Sequence, residues 1–200
     1  MSGYSPPLQC PGTAALHRTI RASGGASVEH EKCATCHFDG AEFAAEGILG
    51  ALRGLGPRWA ALLAGAGDEL RVRPAPVTWS AIEYAAHSRD ITALHRWAVD
   101  EALTGSELVL PAIAADELID SAADDYGGAD PAAVTDALQS AATAMADAAG
   151  TAGEATWDHG MTIGDSRSSV RRLLEHALHD STHHLADVSD GLTALRSHPG

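Results

Sequence analysis

Along most of this chain apolar residues recur at three- and four-residue spacing, the period of an amphipathic helix rather than of a strand. From Ala41 onward, Leu49, Leu52, Leu55, Trp59, Leu62 and Leu63 trace a first helical region. Gly56-Pro57 starts or kinks a helix within it, because proline offers no amide hydrogen. Arg71–Pro76 (RVRPAP) reads as an extended connector, since the residue before a proline is pushed out of the helical region. Ser80-Ala-Ile-Glu83 forms a capping box, and Trp79 can pack on Tyr84 as a hydrophobic staple. A second helix is therefore expected from about Trp79 to Leu103. Pro131 suits the first turn of a third helix reaching about Ala149. Ser169 can cap a fourth, Val170 to about Arg196.

The rest is less regular. Residues 105–130 form a long acidic loop carrying Asp116, Glu117, Asp120, Asp124, Asp125 and Asp130, and residues 150–168 form a second connector. Residues 1–40 stand apart as an arm containing Pro, Gly and a Cys-x-x-Cys, with a short helix expected around Thr13–Ala22. Aromatics make up only 4% and alanine is abundant, which suits close-packed helices better than a sheet. The expected fold is all-α: a four-helix bundle over residues 41–200, preceded by an irregular arm over 1–40.

Charge narrows the partners. Lys and Arg total 13 against 27 for Asp and Glu, a net charge of −14 over 200 residues. Phosphate backbones would repel such a chain, so no nucleic-acid partner is expected. No segment approaches the ~20 apolar residues of a bilayer span, so no membrane is expected either. Met1–Gly12 lacks a basic and apolar leader pattern, and a cytoplasmic protein is expected. Lys32 is the single lysine, which together with the alanine content points to a GC-rich genome of actinobacterial kind.

Candidate chemistry gathers on two helices. His176, His179, His183 and His184 crowd the fourth, out of 11 histidines in all. At about 100° per residue, Val170, Leu173, Ala177, Ser181, His184 and Val188 share one stripe. Asp180 lies about 40° aside, one turn before His184. His179 and His183 fall about 100–140° away and are expected at the bundle's edge, with His176 on the surface. On the second helix Ser80, Tyr84, His87, Ile91, Leu94 and Ala98 form the inner stripe. Two imidazoles and a carboxylate, His87, Asp180 and His184, suit a divalent first-row ion and leave positions for water or substrate.

These residues resemble a known family. The run from Trp79 through Glu83 and His87 to Asp90, with His179-Asp180-Ser-Thr-His183-His184-Leu-Ala-Asp187 far downstream, is similar to the DinB/YfiT-like superfamily. The Arg73-Pro-Ala-Pro76 connector adds to the match, which covers about residues 41–195. The resemblance implies a four-helix bundle holding a metal through His87, Asp180 and His184. Most members have histidine at the position of Asp180; the mycothiol-dependent maleylpyruvate isomerase type resembles this chain in having a carboxylate there. The expected activity is that of a metal-dependent transferase using a low-molecular-weight thiol, such as mycothiol, with an electrophile held by the 105–130 loop. Zinc or nickel is the expected ion, and a homodimer is left open. Alternatives are a hydrolase of a small substrate, with Asp90 or Glu83 as base, and a non-catalytic ligand-binding bundle.

Other motifs compete. His179-Asp180-Ser-Thr-His183 resembles the His-Glu-x-x-His zinc-protease motif with a shortened acid, which makes His179 and His183 an alternative metal pair. The same His-Asp dipeptide also resembles phosphohydrolases of the HD type, although their partner residues are not evident. Cys33-Ala-Thr-Cys36-His37 spells the c-type haem attachment motif, but haem attachment requires export. A zinc half-site at Cys33 and Cys36, completed by Cys10 or a nearby histidine, fits better.

Overall fold

The computed structural model describes residues 30–105, 108–110, 125–163 and 166–197. Cys10, the helix expected at Thr13–Ala22 and most of the acidic loop lie outside the described residues.

The helices are α1 (Ala45–Arg53), α2 (Leu55–Ala66), α3 (Ala81–Leu103), α4 (Pro131–Ala152) and α5 (Val170–Ser197). The first helical region breaks at Gly54, and Pro57 sits in the first turn of α2, where its missing N–H costs nothing. Both α1 and α2 pack against α4 and α5, and α3 packs along the same two helices, so the short pair occupies one position of a four-helix bundle. At the head of α3 the Glu83 carboxylate accepts from the Ser80 backbone N–H at 2.8 Å and from its hydroxyl at 2.6 Å. The staple is present too, with the Trp79 and Tyr84 rings 5.5 Å apart. Asp130 caps α4 by accepting from the Ala133 N–H, and Ser169 caps α5 by accepting from that of Arg172.

A small sheet was not expected. Strand β1 (Leu108–Leu110) pairs parallel with β2 (Gly160–Ile163), which pairs antiparallel with β3 (Ser166–Ser169) and so feeds the chain straight into α5. Strands of three and four residues are too short to register as a period of two.

Trp59 anchors the core. It is fully buried, and its Nε1–H donates to the buried Ser181 hydroxyl of α5 at 2.8 Å, so each polar group satisfies the other. Truncating a tryptophan in such a position costs about 3–5 kcal/mol. Buried alanines, including Ala85, Ala86, Ala142 and Ala146, line α3 and α4 and let the two backbones approach closely.

Residues 31–40 fold back on themselves and lie against α5. Lys32 and Asp39 form an antiparallel bridge, the Cys33 N–H donates to the Phe38 carbonyl, and the Gly40 N–H donates to that of Glu31. Glu175 of α5 is wholly buried. Its carboxylate accepts from the Glu31 N–H at 2.8 Å, from Arg171 Nε at 2.8 Å and from His30 Nδ1 at 2.7 Å. A buried carboxylate left without such partners would be strongly destabilising. Gly40 rests directly on it, and a Cβ there would overlap the carboxylate oxygens. Among the described residues no helix is long and apolar enough to cross a membrane.

Candidate functional site

The α3 and α5 helices bring His87, Asp180 and His184 together, with one ligand atom from each lying within 4.8 Å of the others. Asp180 Oδ1 is 3.9 Å from His87 Nε2 and 3.6 Å from His184 Nε2. All three side chains are half-buried. Asp187, one turn further along α5, accepts from His184 Nδ1 at 2.8 Å. With that nitrogen protonated and held, Nε2 is the lone-pair atom and faces Asp180. Burial lowers the proton affinity of His184, but Asp180 and Asp187 more than offset it, and its pKa stands above the ordinary value. Burial likewise pushes the Asp180 carboxyl up, and His184 and His87 outweigh it, so the group is held below the usual range.

One atom tests whether an ion fits. Asp180 Oδ2 is buried and has no hydrogen-bond partner. Buried carboxylate oxygens are normally satisfied; Oδ1 is the oxygen nearest the two imidazoles, and a cation taken up by this carboxylate together with them would supply the partner that Oδ2 lacks. The donor set of two nitrogens and one oxygen suits zinc, nickel, iron or manganese.

Aromatic rings flank the imidazoles. Trp79 lies 5.2 Å from His87, Tyr84 lies 5.0 Å from His184, and Tyr126 closes on Trp79 at 6.1 Å. Burial, with the Asp187 and Glu83 charges, pushes the Tyr84 phenol up to about 12, so it stays protonated at neutral pH.

The two candidate bases are both engaged. Asp90 is bound bidentately by Arg89, at 2.6 and 3.0 Å, and accepts from the Tyr126 hydroxyl at 2.9 Å. Glu83 is held by Ser80 and by the Arg73 guanidinium. Burial raises its pKa, and these partners bring it down to about 2.

The other histidines require a correction. His179 and His183 do not sit at an open edge: they are 4% and 6% exposed, more buried than either imidazole of the first cluster. The wheel placed them correctly off the inner stripe, but the 31–43 segment covers that flank, with the Phe38 ring 5.1 Å from His179. Both group with Cys33 and Cys36 rather than with Asp180. His176 is not a free surface residue either. It lies 3.4 Å from Glu31, and its ring centroid lies 5.0 Å from that of His95, tilted by 35°; His95 is eight positions beyond His87 on α3 and carries no sequence signal of its own. His95 is buried, its Nδ1–H donates to the Ile91 carbonyl, and burial with the nearby His176 lowers its pKa to about 4.

No family model and no curated protein matches the chain. Among solved structures it is similar to YfiT from Bacillus subtilis, described as a probable metal-dependent hydrolase with an unusual four-helix bundle topology. The match has a TM-score of 0.62 at 19% identity and covers 86% of this chain and 94% of that one. At that identity the likeness speaks to architecture alone: the chain has a YfiT-like four-helix-bundle fold.

Proposed function

We propose that this chain is a metal-dependent enzyme whose divalent ion is held by His87, Asp180 and His184, and that it transfers a low-molecular-weight thiol of the mycothiol kind to a small electrophile. The observation that carries the reading is the Asp180 carboxylate, whose Oδ1 is turned to the two imidazoles and whose buried Oδ2 has no hydrogen-bond partner. The ion would supply Lewis acidity at a position open to a thiol sulfur or a water. Asp187 fixes the orientation of His184, and Trp79 and Tyr84 cover one flank of the two imidazoles. The protonated Tyr84 hydroxyl can donate to a bound electrophile but does not compete as an anionic ligand.

Asp90 and Glu83 are both engaged, so neither is free to act as base, and the ion itself would have to lower the pKa of the nucleophile, whether a thiol of ordinary pKa near 8.5 or a water. Hydrolysis of a small substrate is the second reading, favoured by the description of YfiT.

The test uses cobalt-substituted protein in which Cys33 and Cys36 are both replaced by serine, so that neither of these protein thiols contributes. Added mycothiol, or a simpler thiol, is expected to produce a sulfur-to-metal charge-transfer band that strengthens as pH rises toward the thiol pKa. A site silent to every thiol, in a protein that cleaves a small ester or amide, would establish hydrolysis instead.

A further inference from the structure

A second cluster stands apart from this site. Cys33 and Cys36 reach across from the N-terminal hairpin to His179 and His183 of α5, and their four ligand atoms lie within 4.8 Å of one another. Each half is a metal half-site in its own right: a Cys-x-x-Cys turn, and two histidines one helical turn apart. A tetrahedral zinc with bonds of about 2.1–2.3 Å sets its ligand atoms about 3.4–3.8 Å apart, so a small contraction of this cluster would complete the shell. Cys33 and Cys36 are not joined in a disulfide.

The His179 ring settles which way the cluster is wired. Its Nδ1 lies 3.0 Å from the Glu31 carboxylate, which leaves the buried Nε2 as the nitrogen available to the cluster, and the Cys33 thiol is among the groups that act on this ring. An imidazole held by a carboxylate on one nitrogen and turned to a thiol cluster with the other is the arrangement of a zinc ligand with its supporting acid. Glu31 is in turn braced by Arg172 at 2.6 Å and His176 at 3.4 Å, which accounts for these neighbours as support rather than as a third metal site. The hairpin backbone is committed to this geometry as well. His37 holds φ at 61° directly after Cys36, a left-handed conformation that a non-glycine residue keeps only where its surroundings impose it.

We propose that Cys33, Cys36, His179 and His183 bind a structural zinc ion that pins the N-terminal hairpin to the last helix. Binding releases the two thiol protons and closes all four positions with protein ligands, leaving none for substrate. The ion therefore holds the hairpin in place and takes no part in turnover. It is independent of the His87 site.

Metal content and a cobalt spectrum of the untagged full chain test this. The native chain is expected to hold two ions, and cobalt is expected to show thiolate charge-transfer bands without added thiol. His183→Ala or the double Cys33→Ser/Cys36→Ser variant should lose one ion and the bands; His87→Ala should lose one ion and keep them; His176→Ala should lose neither. Should the cysteine variant fail to fold, the native protein still decides. Its two thiols are expected to resist a thiol reagent until a chelator is added. Thiols that react at once, or a cobalt protein without thiolate bands, would overturn the proposal, as would cysteine variants that keep both ions.

Discussion

His183 and His184 are consecutive in α5 and face different clusters. His184 Nε2 lies 3.6 Å from Asp180 Oδ1, whereas His183 groups with Cys33, Cys36 and His179. Successive side chains on a helix diverge by about 100°, so a His-His pair can serve two sites that share no ligand. Asp187 sits between them, 2.8 Å from His184 Nδ1 and 3.6 Å from His183 Nε2.

Alanine replacements at these two positions should therefore act separately. His184→Ala is expected to remove the ion of the first cluster while retaining helicity, because apolar packing holds α3 and α5. His183→Ala should spare that ion. Metal analysis with circular dichroism checks both, and loss of the same ion in both variants would mean that the clusters are not independent.

Asp180→Ala should weaken ion binding at the first cluster by at least ~10-fold, and Asp187→Asn by about 10–100-fold through loss of the hold on His184. Competition with a metal indicator measures the two affinities. An unchanged affinity in Asp180→Ala would remove the carboxylate from the ligand set.

Gly40 and Gly50 make opposite predictions from the same substitution. Gly40→Ala drives a methyl into the buried Glu175 carboxylate and should cost about 1–3 kcal/mol. Gly50→Ala has open space around it on the exposed face of α1 and should stabilise by about 0.5–1 kcal/mol. Urea unfolding resolves the two signs.

Glu83 gives the fold an acid limit. Its folded pKa is lowered to about 2 from an ordinary 4.5, so its stabilising contribution is complete above pH 4.5 and fades as pH falls toward 2. Glu83→Gln should destabilise at pH 7, and the gap to the native protein should narrow below pH 4.5 by at most about 1.4 kcal/mol per pH unit, the limit for one proton. A gap constant from pH 7 to 3 would show that Glu83 does not titrate with folding.

Much of the bundle was legible because its signals are local. Ser80 with Glu83, Pro131 after Asp130, and the stripe from Val170 to Val188 each lie within one helix, and α3, α4 and α5 begin within two residues of where they point. His87, Asp180 and His184 could be placed on the faces of their own helices for the same reason, since a helical wheel needs no tertiary knowledge, and the structure adds that the two helices bring them together. What covers the flank of α5 was not legible. Glu31 meets His179 across 148 residues, and nothing in either segment's period encodes that meeting. The Cys-x-x-Cys and the His179/His183 pair were both visible as metal half-sites, and pairing one with the other was the available signal. Glu175 and His95 were missed because a buried carboxylate or imidazole is legible only through its partners.

The most direct measurement is the metal content of the Cys33→Ser/Cys36→Ser protein with and without His87→Ala. In this background one divalent ion per chain is expected, falling to none when His87 is replaced, with helicity unchanged. Equal metal content in the two proteins would contradict this, because the ion would then be held by residues other than His87, Asp180 and His184.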